Sequence, residues 1–407
     1  MVSRSSSWAG PVRRSARDHV SPVLAYADGL DSPRSPPEAV IAAAGLAGDD
    51  IEVLLGWTPE PRAWLASGGL RGRTIMAGYA LSRAIAAGRL RYLPVRLSAM
   101  PRLLADGLRP EVAVVTGIRR GSSLAFGASA GWGPAAALAA ERVVVEVDES
   151  GRDLGGPPIP GNVVATIQRP ALTDPPPVPR APSDVDRQIA AHVVRLLPEE
   201  PTLQLGPGGV AEAIVAALDR PVRIWSGLVT DGLWELDRRG LLRGRAVAAY
   251  VWGGREVAQL AETGKLDLLP IERTHDVTHV SAIERFVGCN TAVQVGLDGT
   301  VNVERAAGRL VAGIGGHADF CMAASRSVGG ISIIAVASTT KAGVSTIVPR
   351  VETPSTPRCD VEVIVTEHGI ADLRGVDDEE RLRRVIRVAA PEHRARLEGS
   401  TSAVRST

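Results

Sequence analysis

Three glycine-bearing turns stand where a strand-like run gives way to a helix-like one. They are Gly56 in LLGWTPEP, Gly206, Gly208 and Gly209 in LQLGPGGVAEAI, and Gly313, Gly315 and Gly316 in VAGIGGHADF. Glycine lets backbone approach a ligand closely, and a helix N-terminus offers free N–H groups to an anion. Such turns are either anion cradles or tight connections that need glycine for geometry alone. None continues into Gly-Lys-Ser/Thr, and GPGGVA lacks the GxGxxG spacing with a later acidic residue, which argues against nucleotide hydrolase and dinucleotide dehydrogenase chemistry.

The decapeptide TEHGIADLRG (366–375) gathers Glu367, His368, Gly369, Asp372 and Arg374 behind a β-run. It reads either as a strand end with a capped turn or as a loop that presents the Gly369 N–H and polar side chains to a substrate. NTAVQVGLDGTVN (290–302) is a hairpin signal, two β-branched runs joined by Asp298-Gly299. Alternation places Asn290, Ala292, Gln294 and Gly296 on one face, which either borders a site or is solvated. His275 and His279 in HDVTH have i,i+4 spacing, but the β-branched run gives no helix character. Four residues along a strand separate two side chains by about 13 Å, too far for one metal ion. No serine sits in a GxSxG elbow, so a Ser-His-Asp hydrolase has no support.

These residues need rigid elements to position them. IEVLLGW (51–57) is a strand candidate, and the runs at 111–118 and 141–148 are continuously apolar, as expected for parallel strands covered on both faces. PEPRAWLASG (59–68) reads as a helix opened by prolines, and 128–141 as a loop running into a helix. The proline-rich stretch 168–184 is a stiff connector and marks a boundary. Beyond it comes a helix over 183–197, with Ser183 as N-cap and Asp186 in capping-box position. PTLQLG, GVAEAIVAALD, PVRIWSG and AVAAYVWG then alternate strand and helix again. The reading is α/β: two open, mainly parallel-sheet domains, 35–167 and 185–400, after a disordered tail over 1–34.

The chain has 407 residues, 45% hydrophobic and 22% charged, with a net charge of +1. That length allows two domains, and that charge makes no case for nucleic acid or an anionic membrane as partner. Cys289, Cys321 and Cys359 form no CxxC pair, which fits a reducing cytoplasm and neither a disulfide framework nor a zinc site. The N-terminus lacks an apolar segment after its arginines, and no apolar run approaches the ~20 residues of a membrane span.

TEHGIADLRG, with TPRCDVEVIV before it and RVIRVAAPEHRARL after it, resembles the C-terminal signature of the acetyl-CoA hydrolase/transferase family, which includes 4-hydroxybutyrate and succinyl-CoA:acetate CoA-transferases. LQLGPGGVAEAI, SGLVTDGLWELDRRGLL, NTAVQVGLDGTVNVE, GIGGHADFCMAASRSVGGISIIAVAST and STIVPR follow in the family's order. The resemblance covers roughly 35–400 and is stronger in the second half. It implies two α/β domains of the CoA-transferase type with the active site between them. It also implies coenzyme A as acyl-CoA substrate, a small carboxylate as acceptor, no metal, and a homodimer or pairing with a second family subunit. The Gly206–Gly209 and Gly313–Gly316 turns would serve the CoA, and Trp57, Tyr79 and the 121–133 loop the acyl group.

In the family a glutamate on the strand matching 290–297 attacks the thioester, and the Gly369 loop matches the oxyanion-binding role. The pattern N-S/T-A-x-E-x-D-x-x-G has Gln294 at its glutamate and Gly296 at its aspartate. A neutral amide is a poor nucleophile, though it hydrogen-bonds well. Three readings follow: direct hydrolysis with Glu367, His368, Glu304 or Asp319 assisting a water; a transferase with its nucleophile elsewhere; or a catalytically impaired acyl-CoA-binding homologue or partner subunit.

Overall fold

The computed structural model describes residues 21–48, 50–171 and 180–401. Most of the tail expectation (1–20) lies outside these residues, as do 172–179 of the proline-rich connector.

The first half builds an eight-stranded sheet from β1 (Val23–Tyr26), β2 (Glu52–Leu55), β3 (Arg71–Thr74), β4 (Leu90–Tyr92), β5 (Val112–Arg120), β6 (Ser123–Ala125), β7 (Arg142–Val147) and β8 (Val163–Gln168). Their order is β4-β3-β2-β1-β5-β7-β8, with β6 paired to β5. Every pairing is parallel except β5 with β6. The valine-rich β5 and β7 face two cores at once, because alternate side chains leave opposite faces. Val112, Val114 and Val144 pack with Leu24 and Tyr26 on one side, and Ala113, Val115, Val143 and Val145 with Ala25 on the other.

Two expectations fail here. Residues 23–26 are no tail: Val-Leu-Ala-Tyr is buried along its length and hydrogen-bonded to both β2 and β5. The expected helix over 59–68 is a single 3₁₀ turn, Ala63–Ala66, pinned by the Trp64 Nε1 bond to the Arg34 carbonyl. Pro61 disfavours helical backbone at Glu60, and Ser67-Gly68-Gly69 follow the turn directly, so the segment has no room for a longer helix.

The second half opens with the helix Asp184–Leu196, whose Ser183–Asp186 capping box is formed as its sequence requires. Its strands are β9 (Thr202–Leu205), β10 (Arg223–Ile224), β11 (Leu228–Thr230), β12 (Ala246–Ala248), β13 (Tyr250–Trp252), β14 (Leu266–Leu268), β15 (Phe286–Asn290), β16 (Gln294–Gly296), β17 (Val301–Asn302), β18 (Arg305–Ala306), β19 (Arg309–Leu310), β20 (Ile331–Ala335), β21 (Ile347–Val348), β22 (Val363–Thr366) and β23 (Gly369–Asp372). The main sheet runs β10-β9-β15-β20-β22-β23 and is parallel up to the terminal β22–β23 hairpin.

The hairpin forms about Asp298-Gly299, pairing Gln294 with Asn302 and Val295 with Val301. It is not one alternating strand from Asn290. β15 ends at Asn290 inside the main sheet, and β16 starts anew in a small sheet with β17 and β21. The Asn290 amide, bonded to Gln204 Oε1 at 3.0 Å, holds the chain where it leaves the sheet. The HDVTH segment also differs from its reading. Asp276 caps a short helix, Val277–Ser281, and His275 lies between it and the turn Ile271–Thr274. An Asp N-cap outweighed the β-branched residues that follow it.

Hydrogen bonds tie the halves together. Tyr92 Oη donates to Glu304 Oε1 at 2.8 Å, Ser98 N and Oγ donate to the Asp319 carboxylate at 3.0 and 2.6 Å, and Tyr250 Oη donates to Asp28. Among the described residues no helix is long and apolar enough to cross a membrane.

Candidate active site

At the carboxyl ends of β9, β15 and β20 lies a cavity of about 360 Å³. Crevices at this end of a parallel sheet are the usual ligand sites of open α/β folds. The Gly206-Pro207-Gly208 turn forms one side and leads into the helix Gly209–Ala217, whose first N–H groups face this end. Gly208 has φ +129, a conformation that side-chain-bearing residues rarely adopt. Gly209 is needed for space, since a Cβ there would stand 2.6 Å from Asp186 Oδ2. Gly206 opens onto free space, with nothing within 4 Å of a Cβ.

Arg180 brings a cation to the rim, bound to Asp186 at 2.6 Å. Burial pushes the Asp186 carboxyl up, but bonds from Ser183 and Arg180 outweigh it and hold the group below its ordinary value. The floor carries Cys289, Asn290 and Thr291, and the far wall Ala335–Ala337 with Thr346. Burial pushes the Cys289 thiol up to about 12, so it stays protonated and is no nucleophile at neutral pH. Glycine N–H groups, a helix N-terminus and one arginine suit an anionic ligand. The lining residues alone supply no reactive group.

Immediately behind the wall, Ser338 follows Ala337 and donates to both oxygens of Glu367, from N at 2.9 Å and from Oγ at 2.6 Å. His368 Nε2 stands 3.7 Å from Glu367 Oε1. Glu367 and His368 form the two-residue turn between β22 and β23, with Gly369 paired to Thr366 across it at φ +133. TEHGIADLRG is therefore a hairpin, in which Asp372 and Arg374 pair at 2.6 Å at a half-exposed position.

The structure separates the other candidates from the cavity. Gln294 does not line it. Its Nε2 donates to Glu352 Oε1 at 3.0 Å, while its Oε1 accepts from Asn302 Nδ2 at 2.8 Å and from Glu352 N at 3.1 Å. Glu352 also accepts from the N–H groups of Ala307 and Gly308, which hold its carboxyl below the usual range. Gly313 and Gly315 lie against the first half instead, and Gly316 packs against His275 and Phe320 of the second. A Cβ on Gly313 would meet the Ile75 carbonyl at 2.3 Å, and Leu97 N donates to the Gly315 carbonyl. Glu304 and Asp319 are buried and committed to the interdomain bonds, with Ser355 Oγ on the second oxygen of Glu304 at 2.5 Å.

One convergence left no mark in the residue spacing. The buried His275 ring lies between Gly227 and Gly316 and against Phe320, and a Cβ on Gly316 would come within 2.5 Å of His275 Nε2. Burial lowers this imidazole to about 3, so it is neutral. Among the described residues no group of three His, Cys, Asp or Glu is arranged to hold a metal ion.

Residues 256–401 match the acetyl-CoA hydrolase/transferase C-terminal domain. The chain is 29% identical over 354 residues to 4-hydroxybutyrate coenzyme A transferase of Clostridium kluyveri, covering 80% of this chain and 81% of that one. It is 27% identical over 380 residues to acetyl-CoA hydrolase of Eremothecium gossypii, covering 79% and 73%. Among solved structures, RipA from Yersinia pestis superposes with a TM-score of 0.83 at 25% identity, over 95% of each chain.

Proposed function

Since the chain carries the acetyl-CoA hydrolase/transferase C-terminal domain over residues 256–401 and resembles that family's enzymes over most of its length, we propose that it works on short-chain acyl-CoA thioesters, as a CoA-transferase to a small carboxylate or as a hydrolase. The cavity at Gly206, Gly208 and Gly209 is the observation that carries this reading. Its N–H groups and Arg180 would take an anionic part of coenzyme A, and the wall at Ala335–Ala337 would take less polar parts.

The reading assigns no covalent step to Gln294. Its amide is neutral, bonded on both sides and absent from the cavity lining. Of the four groups proposed to assist a water, Glu304 and Asp319 are occupied between the halves. Glu367 and His368 remain: Glu367 accepts from Ser338, which follows the wall residue Ala337, and His368 adjoins Glu367. Hydrolysis would then proceed with the Glu367 carboxylate accepting a proton from water as the oxygen attacks the thioester carbonyl. Collapse of the adduct would expel the CoA thiolate. Gly369 stays a proposed oxyanion donor beside that pair.

A second reading has its own support. The committed amide of Gln294 and the protonated thiol of Cys289 leave the cavity suited to binding without covalent chemistry, as in an impaired homologue or a partner subunit.

The test is CoA release from acetyl-, butyryl- and succinyl-CoA, with and without carboxylate acceptors, for wild type and Glu367→Gln. Turnover lost in Glu367→Gln with CoA binding kept supports the enzyme reading. Binding without turnover in either protein supports the second. Absence of both would sink the assignment of acyl-CoA as ligand.

A further inference from the structure

Where the chain leaves the main sheet it forms the floor of the glycine-turn cavity. Asn290, Thr291 and Ala292 line that floor as β15 ends at Asn290 and β16 begins at Gln294. The peptide groups of this corner are held unequally. The Val293 N–H donates to the Asn302 carbonyl, which fixes the outgoing side. The Thr291 carbonyl accepts from His317 Nε2 at 3.0 Å. The Ala292 N–H, in the same peptide group as that carbonyl, has no partner among the described residues.

The geometry of that peptide sets where the unpaired donor goes. In a trans peptide the C=O and N–H bonds point in opposite directions, and none of the described peptides is cis. His317, which is not a lining residue, draws the Thr291 carbonyl to its own side. The Ala292 N–H therefore faces the other way, to the side on which Thr291 and Ala292 bound the cavity. The ring that sets this direction has little freedom. A carbonyl only accepts, so Nε2 carries the ring proton. Burial lowers the imidazole to about 4, so the ring is neutral and its Nδ1 accepts from Thr356 Oγ1 at 2.8 Å. Thr356 is fully buried and exchanges backbone bonds with Val301 in both directions.

We infer that the Ala292 N–H is a hydrogen-bond donor to the bound ligand, and that His317 is the positioning residue that aims it. On the acyl-CoA reading, on which this inference rests, the acceptor is the thioester carbonyl oxygen. The place of the donor favours that oxygen over a phosphate. The one cation of the lining, Arg180, stands at the rim with Asp186 beside the glycine turn. The chain beyond Ala292 runs instead along the wall: Val295 N donates to the Thr346 carbonyl, and Thr346 N to the Ser338 carbonyl. Ser338 in turn holds Glu367, the proposed proton acceptor. A fixed backbone donor on that side meets the negative charge that develops on the carbonyl oxygen as the thioester is attacked.

Two unreactive analogues test it on the full chain: S-acetonyl-CoA, which keeps a carbonyl oxygen near the sulfur, and S-propyl-CoA, which lacks one. In calorimetric titration the wild type binds the first about tenfold more tightly than the second. Replacing the Ala292 amide by an ester, with the α-hydroxy analogue of alanine at that position, removes the donor and abolishes the preference. Affinity for S-propyl-CoA stays as in wild type. His317→Leu also abolishes the preference, whereas His317→Gln keeps most of it, because its amide can donate to Thr291 and accept from Thr356. His317→Leu lowers the melting temperature as well, since the Thr356 hydroxyl loses its acceptor. Ser327→Ala is the control for that loss. It removes the bonds to Phe286 N and the Ile283 carbonyl at the other end of the same helix, and it leaves the preference intact. Equal binding of the two analogues by wild type, or a preference that survives the ester, would overturn the inference and leave acyl-CoA as the ligand. If neither analogue binds and coenzyme A does not bind either, the acyl-CoA reading falls and this inference falls with it.

Discussion

The Tyr250 hydroxyl reaches both carboxylate oxygens of Asp28, at 3.0 and 3.1 Å, across 222 residues of sequence and from one half of the molecule to the other. Burial pushes the Asp28 carboxyl from 3.8 up to about 7, although the Tyr250 and Trp57 bonds pull it down. A carboxyl raised in the folded state binds its proton there more tightly than in the unfolded chain. Its contribution to stability is therefore full below about pH 4 and is lost as pH rises towards about 7. At about 1.4 kcal/mol per unit, the whole window is worth on the order of 4 kcal/mol. Asp28→Asn keeps an acceptor for Tyr250 and removes the titration. Its stability relative to wild type therefore improves from pH 5 to pH 8 in urea unfolding, and an unchanged difference across that range would exclude this origin.

Gly316→Ala is expected to destabilise through a single contact. Its Cβ would stand 2.5 Å from His275 Nε2, in a ring already held by Thr274 Oγ1 at 2.8 Å and by Phe320. Overpacking of this kind costs about 1–3 kcal/mol. Because the cost lies in one pair, adding His275→Ser should recover part of it, and the double-mutant cycle measures that coupling. Additive losses would place the strain elsewhere.

Restoring an acid at position 294 is expected to harm rather than activate. In Gln294→Glu the new carboxylate faces Glu352 Oε1 across the 3.0 Å now spanned by a hydrogen bond, and two acceptors repel where a donor met an acceptor. The melting temperature should fall at pH 8, and the deficit should shrink towards pH 4 as one carboxyl takes a proton. Transfer of the acyl group to added acetate should not rise. A gain in that assay would return position 294 to the chemistry.

The parts of this molecule that are legible in its sequence are local. The apolar runs of β5 and β7, the Ser183–Asp186 capping box and the glycines of 206–209 each carry their own signal within a dozen residues. Gln294 shows the limit. Alternation placed it on a polar face beside Asn290, but the chain leaves one sheet at Asn290 and enters another at Gln294, and no periodicity reports a change of sheet. Gly313–Gly316 looked like Gly206–Gly209, yet its neighbours are Ile75 and His275, far away in sequence. Val23–Tyr26 was lost in the tail because four residues are too few for a period, although they stand at the centre of the sheet. The Asp28–Tyr250 bond depends on a contact across 222 residues, which no spacing rule encodes.

Gly206→Leu separates the role of the glycine turn as a ligand site from its role as a connection. Gly206 has no left-handed conformation to preserve, and a Cβ there would meet no protein atom within 4 Å. Stability should therefore stay close to that of wild type. The leucyl group would instead occupy the space between the turn and the floor at Asn290 and Thr291, where the cavity opens. Coenzyme A affinity should fall at least tenfold, about 1.4 kcal/mol, while the melting temperature changes little. Gly208→Ala gives the opposite balance: with φ +129 at that position, about 1–3 kcal/mol of backbone strain lowers the melting temperature even without ligand. Unchanged coenzyme A binding in Gly206→Leu would mean that the glycines serve the fold alone.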